Sequence, residues 1–125
     1  MQVIADTSFL MIPGMFGVDI VGEVDKLLSC TYRFLIPSPV ILELERISEH
    51  GKPKERTAAR LGLLLAKQGT IVKAEGGADD SIMKLAVAKK CLVGTLDAAL
   101  RKKLRVQRVN VIYLRGKSHL ALTGQ

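Results

Sequence analysis

Five acidic residues in this 125-residue sequence are candidates for a shared site. They are Asp6, Glu43, Asp79, Asp80 and Asp97. Four stand at the end of a short apolar segment or at a predicted helix start, and Glu43 lies between Leu42 and Leu44 inside a predicted helix. Carboxylates a few ångströms apart cannot all stay ionised, so either some are protonated or a cation neutralises them. Mg²⁺ and Mn²⁺ bind carboxylate oxygens, leave positions for a phosphate and can activate water for phosphodiester hydrolysis. If the fold brings these acids together, we expect a divalent-metal site that acts on a phosphodiester.

Each of these acids also has a simpler structural role. Asp79, Asp80 and Asp97 stand at predicted helix starts, where aspartate commonly caps the helix or interacts favourably with its dipole. Glu43, taken alone, would be an ordinary surface glutamate. Only their convergence at one edge of a sheet favours chemistry over capping, so the hypothesis depends on the elements that carry them.

The sequence predicts five strands, each a short run of β-branched or bulky apolar residues bounded by turn formers. In chain order they are QVIA, YRFLI, TIVKA, CLVG and VNVIYL. Between them, apolar residues recur at the three- and four-residue spacing typical of amphipathic helices. The predicted helices are DIVGEVDKLLS, SPVILELERISEH, PKERTAARLGLLLAKQ, ADDSIMKLAVAKK and DAALRKKL. This alternation indicates an α/β fold with a mostly parallel sheet, where ligands bind beyond the carboxyl ends of the strands.

Composition favours a single globular domain over residues 1–125. Hydrophobic residues make up 48% of the chain and charged residues 25%, and the apolar runs are short for a membrane span. The start of the chain does not resemble a secretion signal, so we expect a cytoplasmic protein. Cys30 and Cys91 lack metal-binding spacing and are predicted to be buried free thiols.

Four segments, in order, resemble the PIN-domain (PilT N-terminus) nucleases, which are metal-dependent ribonucleases with a small α/β/α fold. ADTSFL is similar to the family's opening aspartate motif and IPSPVILEL to its proline-to-glutamate helix. DDSIMKLA is similar to its D-x-x-I-x-x-x-A helix and GTLD to its T-x-D motif. The resemblance covers nearly the whole chain. It implies a three-layer α/β/α sandwich, and with the strands predicted above the central, mostly parallel sheet would be five-stranded.

The resemblance also implies a site for Mg²⁺ or Mn²⁺. Its catalytic and metal-binding acids would be Asp6, Glu43, Asp79 and Asp97, with Thr7, Ser8 and Thr95 as hydroxyl contacts. Asp79 is preferred over Asp80 because Ile82 and Ala86 then fall at the motif spacing, which leaves Asp80 as an accessory ligand candidate. Relatives often have an asparagine before the last acid, where this chain has Leu96, so a polar contact to metal or phosphate would be missing.

The net charge of +7 indicates an anionic partner, and nucleic acid fits better than a membrane. The candidate RNA contacts are Arg101, Lys102, Lys103, Arg105 and Arg108, together with Lys52, Lys54 and Arg56. Such runs are about as often plain solvated surface. Because the chain has two Tyr, three Phe and no Trp, recognition by backbone charge and RNA shape is expected over base stacking. His50 and His119 are expected at the surface without a role as a base.

The function predicted from the sequence is a Mg²⁺- or Mn²⁺-dependent endoribonuclease. The stretch IPGMFGVDIVGEVDKLL resembles archaeal members related to the nuclease that processes small-subunit ribosomal RNA precursors more than it resembles toxin members. A structured or ribosomal precursor RNA would then be the substrate.

Alternative functions stay open from the sequence. One is an inert PIN-like scaffold that binds ribosomal RNA or an assembly factor, and another is the toxin ribonuclease of a toxin–antitoxin pair. A phosphoacceptor module is disfavoured, because it needs paired acids after the first strand and Asp6 is single. The tail over 116–125, with Leu120 and Leu122, would pack either on its own core or on a second copy in a homodimer.

Overall fold

The computed structural model describes residues 1–123, and its core is one mixed sheet flanked by helices. The elements are β1 (Gln2–Ala5), α1 (Thr7–Leu10), α2 (Ile12–Phe16), α3 (Ile20–Leu27), β2 (Arg33–Pro37), α4 (Ser38–His50), α5 (Pro53–Ala66), β3 (Thr70–Val72), α6 (Ala78–Lys89), β4 (Leu92–Gly94), α7 (Ala98–Val106), β5 (Val111–Arg115) and β6 (His119–Leu122). The predicted α/β class is confirmed. The predicted strand count is wrong, because the sheet within residues 1–123 has six strands rather than five.

The strand order places β1 and β4 side by side at the centre of the sheet. The order is β3-β2-β1-β4-β5-β6, in which β1 to β5 are parallel and β6 is antiparallel to β5. The chain moves one way along the sheet from β1 to β3 and the other way from β4 to β5. Since crossovers between parallel strands are right-handed, α6 and α7 cover the opposite face from α1–α5. The switch between β1 and β4 is where such sheets bind ligands.

The two central strands are buried on both faces, which explains their continuous apolar sequence. Val3, Ile4 and Val93 have no exposed surface. Gly94, the last residue of β4, lets the ring of Phe9 lie directly on the strand, because a Cβ there would be 2.7 Å from that ring. This contact places α1, and with it the residues just after β1, against the end of β4.

Two short helices, α1 and α2, follow β1, before the first helix that the sequence predicts. Pro13 lies in the first turn of α2, where its missing N–H costs no hydrogen bond. Gly14 allows the backbone of Ala58 in α5 to approach closely, since a Cβ at this position would clash with it. Tertiary packing therefore stabilises helices that are too short to be recognised by their periodicity.

The C-terminal tail lies on the sheet of its own chain. Residues 119–122 pair with β5, from Arg115↔His119 to Ile112↔Leu122, and Leu120 is buried. Of the two packings that the sequence leaves open for this tail, the described part adopts the intramolecular one. Gly124 and Gln125, the last residues of the predicted tail, lie outside the described residues.

None of the helices in residues 1–123 has the length and apolar character needed to cross a membrane.

The two cysteines differ in exposure. Cys91 is buried as expected, but Cys30 is exposed, so the prediction of two buried thiols is wrong for Cys30. Cys30 lies in the loop between α3 and β2, outside the periodic segments that fill the core.

Candidate active site

Asp6 is the first residue after β1, at the switch point of the sheet. Its backbone N–H donates to the carbonyl oxygen of Gly94 at 3.0 Å, which continues the β1–β4 ladder by one bond. Its Oδ1 accepts a hydrogen bond from the N–H of Thr7 at 2.8 Å and so caps α1. The residue is only 6% exposed. Asp6 therefore has a capping role, and it also presents a buried carboxyl group at the ends of the two central strands.

A set of hydrogen bonds joins Asp6 to the segment after β4. Thr95 Oγ1 donates to Asp6 Oδ2 at 2.7 Å, and the N–H of Asp97 donates to Thr95 Oγ1 at 3.1 Å. Ser8 Oγ lies 3.3 Å from Asp6 Oδ2 and accepts from the N–H of Leu96 at 3.0 Å. The structure thus brings together two of the predicted hydroxyl residues, Ser8 and Thr95, with the carboxylate of Asp6.

The electrostatic surroundings of Asp6 identify which other acids are near it. Burial raises the pKa of the Asp6 carboxyl group above its ordinary value, whereas the hydrogen bonds from Thr95 and Thr7 lower it. The negative charges of Asp79 and Glu43 raise this pKa further. Asp6, Asp79 and Glu43 therefore share one negative potential, although they come from β1, α6 and α4. A cation at this edge would relieve their repulsion.

Asp97 is the N-cap of α7. Its Oδ1 accepts hydrogen bonds from the N–H groups of Ala99 and Leu100 at 2.9 and 3.2 Å. It is half-buried, and Thr95 links its backbone to the Asp6 carboxylate. Asp97 thus adopts the capping role that the sequence leaves as its simplest interpretation, while lying next to the site.

The remaining acids differ in how they relate to Asp6. Asp79 and Asp80 both lie in the exposed first turn of α6. The charge of Asp79 raises the pKa of Asp6, whereas that of Asp80 is not among the causes of the shift. Glu43 lies in the second turn of α4 and is half-buried beside the fully buried Leu44. The acids whose charges raise the pKa of Asp6 are therefore Asp79 and Glu43, and Asp97 is linked to Asp6 through Thr95.

An open cleft of about 480 Å³ runs from this edge between α1 and α4. Its lining includes Thr7, Ser8, Glu43, Arg46 and His50. The hydroxyl oxygen of Thr7 is buried and has no hydrogen-bond partner within residues 1–123. A buried hydroxyl without a partner costs free energy, so a water or a ligand in the cleft is its natural partner.

Arg46 and His50 were missed as site residues. The sequence predicts His50 at the surface, and no motif marks Arg46. His50 is indeed exposed, and both side chains line the cleft together with Glu43. The signal was their spacing, because Arg46 and His50 follow Glu43 by three and seven residues and therefore lie on the same face of α4.

Comparison with known proteins identifies the family. The family model described as "PIN like domain" matches residues 3–117. The chain belongs to the PIN-like domain family. Ribonuclease VapC9 of Archaeoglobus fulgidus is 31% identical over 112 residues, covering 90% of this chain and 82% of that protein. Ribonuclease VapC4 of Methanocaldococcus jannaschii is 28% identical over 127 residues, covering 98% of this chain and 97% of that protein.

A solved structure supports the same fold. The PIN domain endonuclease Utp24 superposes with a TM-score of 0.77 at 23% identity, covering 99% of this chain and 92% of that one. At this identity the likeness concerns the fold alone. The predicted place among the archaeal members related to ribosomal RNA processing therefore stays a prediction, while the PIN family assignment is confirmed.

The acids of this PIN-like domain fit a hard divalent cation by donor type but do not form a complete coordination shell. Carboxylate oxygens are the ligands that Mg²⁺ and Mn²⁺ prefer. Over residues 1–123, however, no three Asp, Glu, His or Cys side chains are grouped so that they could hold one ion. Mg²⁺ is commonly bound by one or two carboxylates, several waters and substrate phosphates. A site that water and phosphate complete is consistent with this arrangement.

The predicted RNA contacts lie in two regions, beside α7 and at the start of α5. Arg101, Lys102, Arg105 and Arg108 line a separate cleft beside α7, whereas Lys103 does not. Lys52 and Lys54 are exposed at the start of α5, and the guanidinium of Arg56 donates to the carbonyl oxygen of Gly51 at 3.1 Å. Leu96, which replaces the family's frequent asparagine, packs its side chain against the core.

Proposed function

We propose that this protein is a divalent-metal-dependent endoribonuclease that hydrolyses RNA phosphodiester bonds at the Asp6 edge. The observation that carries the proposal is the buried Asp6 carboxyl group, fixed by Thr7 and Thr95 within the negative potential of Asp79 and Glu43. An arrangement that repels itself costs stability unless it binds a cation. The two VapC relatives are named as ribonucleases, which supports RNA as the substrate.

The roles of the residues follow from their positions. One or two of the four acids would bind the cation directly, and the others would reach it through bound waters. Asp6 and Asp97 would approach it from the side of the central strands, and Glu43 and Asp79 from α4 and α6. When bound, the cation supplies an activated water and neutralises charge that develops on the phosphate. Thr95 and the N–H of Thr7 hold the two oxygens of Asp6 in place.

The cleft beside Glu43 would receive the RNA strand. Arg46 is placed to contact a phosphate near the bond that is cut, because arginine pairs well with phosphate oxygens. The unpartnered hydroxyl of Thr7, which is buried, would donate to a bound water that in turn contacts the substrate. Both contacts would orient the substrate against the Asp6 carboxyl group.

The test uses structured and single-stranded RNA with the parent protein and an Asp6→Asn variant. Asparagine keeps the shape and the capping bond of Asp6 but removes its charge, so the fold is retained. We expect cleavage to be abolished by a chelator, restored by Mn²⁺ or Mg²⁺, and lowered by about 100-fold or more in the variant. Asp19→Asn is the control, because the exposed Asp19 carboxylate also caps a helix, α3, by accepting from the N–H of Gly22.

Equal cleavage by Asp6→Asn and the parent would show that the site is wrongly assigned. RNA binding without cleavage at any tested concentration of Mn²⁺ or Mg²⁺ would instead identify the inert scaffold. The Asp19→Asn control should cleave at the parent's rate, and a comparable loss there would mean that helix capping, not the Asp6 charge, was being measured.

A toxin ribonuclease held by an antitoxin is the second candidate, and it is favoured by the names of the two VapC relatives. It predicts that expression of the parent chain, but not of Asp6→Asn, stops growth of the host cell. A processing nuclease would instead make a single cut in precursor ribosomal RNA and would not stop growth of the host cell. Sequencing of the RNA ends after brief expression separates the two.

A further inference from the structure

The net charge of this protein is confined to its C-terminal part. All 12 acidic residues lie at or before Asp97, together with 12 of the 19 Lys and Arg residues. The 28 residues that follow Asp97 contain the other seven cations and no acid, so they account for the whole net charge of +7. This segment comprises α7, β5 and β6, and it starts directly at the Asp6 edge.

Four of these cations converge on one surface, which we call the α7 cleft. Arg101, Lys102, Arg105 and Arg108 line a space of about 350 Å³ with Asn110 and Thr123. Arg101 and Arg105 are four residues apart and lie along one face of α7, and Arg108 follows two residues after the helix ends. Lys103 is on another face and does not line the cleft.

The cations of the α7 cleft are free to bind an external anion. The ion pairs found within residues 1–123 are Lys26–Glu23 and His50–Glu49, and neither uses a residue of the cleft. The guanidinium of Arg101 lies 4.8 Å from the centroid of the Tyr113 ring, a cation–π contact that restrains its position. Thr123 Oγ1 accepts from the N–H of Val111 at 2.8 Å, so its own hydroxyl hydrogen can be donated into the cleft.

The backbone at Arg108 is unusual. Arg108 has φ 60°, and it ends α7 with hydrogen bonds from its N–H to Arg105 and from the Val109 N–H to Leu104, both 2.9 Å. This is the Schellman arrangement, in which glycine is the usual residue because a side chain is strained there. The chain places a cation where glycine would fit better.

We propose that the α7 cleft binds the phosphate backbone of the RNA strand that is cut at the Asp6 edge, an inference that rests on the proposed function. Arg101 and Arg105 lie about 6 and 12 Å from Asp97 along the helix axis, given a rise of ~1.5 Å per residue. One strand can therefore contact both places. Three of the four cations are arginines, whose planar forks match phosphate oxygens in pairs.

The test measures RNA affinity without cleavage. Every protein carries Asp6→Asn and is studied with chelator, and a labelled RNA is titrated at several salt concentrations. We expect Arg105→Gln and Arg108→Gly each to weaken binding about five- to tenfold at low salt and to reduce the salt slope by about 0.7 per lost phosphate contact. Lys103→Gln removes the same charge from another face of α7 and should change affinity less than about twofold.

Arg108→Gly separates binding from misfolding. Glycine relieves the strained backbone, so this variant should unfold at the parent's temperature or above while it binds RNA more weakly. Parent-like affinity in the cleft variants would overturn the proposal. An equal loss with Lys103→Gln would overturn it too, because overall charge rather than the cleft would then be responsible.

A competition assay separates RNA from an acidic protein as the ligand of the α7 cleft. Polyglutamate that competes with labelled RNA as strongly as unlabelled RNA does would overturn the proposal in favour of an acidic protein partner. The nuclease proposal is judged separately, with Asp6 intact and metal present. If the parent protein with metal never cleaves RNA but the cleft variants still lose RNA affinity, the nuclease assignment fails. The α7 cleft is then still supported as an RNA-binding surface.

Discussion

The edge of the sheet at Asp6, called the acidic edge because Glu43, Asp79 and Asp97 also lie near it, and the α7 cleft are built in opposite ways. The acids come from distant parts of the chain and meet only because β1, α4, α6 and the end of β4 reach the same edge. The cations of the cleft lie mainly on one helix, within residues 101–108. The acidic edge therefore depends on the whole fold, whereas the cleft depends on one helical face and on how its end is closed.

The two regions also differ in how tightly their side chains are held. Asp6 is buried and receives hydrogen bonds from Thr7 and Thr95, so small displacements change its surroundings. The cleft residues Lys102, Arg105 and Arg108 are exposed, and salt screens their interaction with an anion. Substitutions should thus disrupt the acidic edge sharply and weaken the cleft gradually.

The largest disruption of the acidic edge is expected from Gly94→Ala. The new Cβ would be 2.7 Å from the Phe9 ring, and such overpacking costs about 1–3 kcal/mol of stability. Displacement of α1 would carry Thr7 and Ser8 away from Thr95, so cleavage should fall as well. Thermal unfolding and cleavage assays measure both effects.

Gly77→Ala is the matched control for this prediction. A Cβ at Gly77 meets no atom within 4 Å, so the unfolding free energy should change by less than about 0.5 kcal/mol. If Gly94→Ala unfolds at the same temperature as Gly77→Ala, the close packing of α1 on β4 is wrong.

An intermediate effect, confined to the acidic edge, is expected from Thr95→Val. Valine removes the donor to Asp6 Oδ2 and the acceptor of the Asp97 N–H. Loss of a partner that orients a ligand typically costs about 10- to 100-fold in activity. We expect the loss in kcat rather than in KM, with RNA affinity at the α7 cleft unchanged. Thr95→Ser keeps the hydroxyl and should restore most of the rate; failure of this rescue would indicate that the methyl group, not the hydroxyl, is what the site needs.

The smallest effect on stability is expected from the contact between β6 and α3. Glu23 accepts from the N–H of Leu120 and pairs with Lys26, both at 3.1 Å, and these contacts lower its pKa below the ordinary value of 4.5. The ionised form is thus favoured by folding. Its contribution to stability is present above pH 4.5 and is lost as the pH falls through the lowered value.

Glu23→Gln should therefore lower the unfolding temperature at about pH 7 and less so at about pH 3. Glu45→Gln, which removes the same charge from an exposed position in α4, serves as the control. Cleavage at the acidic edge should not change. An equal destabilisation of Glu23→Gln at both pH values would contradict the assigned contact.

Most of the parallel sheet could be predicted because its strands are short apolar runs ended by polar residues. β6 was missed because four residues, HLAL, give little periodicity and because the turn before it is not marked by Asn-Gly. Gly116 and Lys117 both have positive φ there, and only the glycine hints at it. Local pattern was thus sufficient for the five parallel strands, including the edge strand β3, and insufficient for the antiparallel edge strand β6.

The acids were found through motifs, but the contacts around them were not. The unpartnered Thr7 hydroxyl and the cleft shared by Glu43 and Arg46 depend on how α1 packs against α4, which no local pattern encodes. Helical spacing separates Lys103 from Arg101 and Arg105, but the charge of the run alone predicts one surface. Ligation of a metal by the four acids remains a prediction.

The position of Asp97 limits which substitutions this protein can accept there during evolution. The same side chain closes the first turn of α7 and stands beside the acidic edge. Under the proposed function, a lineage that lost catalysis by replacing Asp97 with an apolar residue would also fray the helix whose cations face the cleft. A descendant that no longer cleaves RNA but still binds it should therefore retain Asp, Asn, Ser or Thr at this position. The residue types found there in relatives without cleavage activity test this expectation.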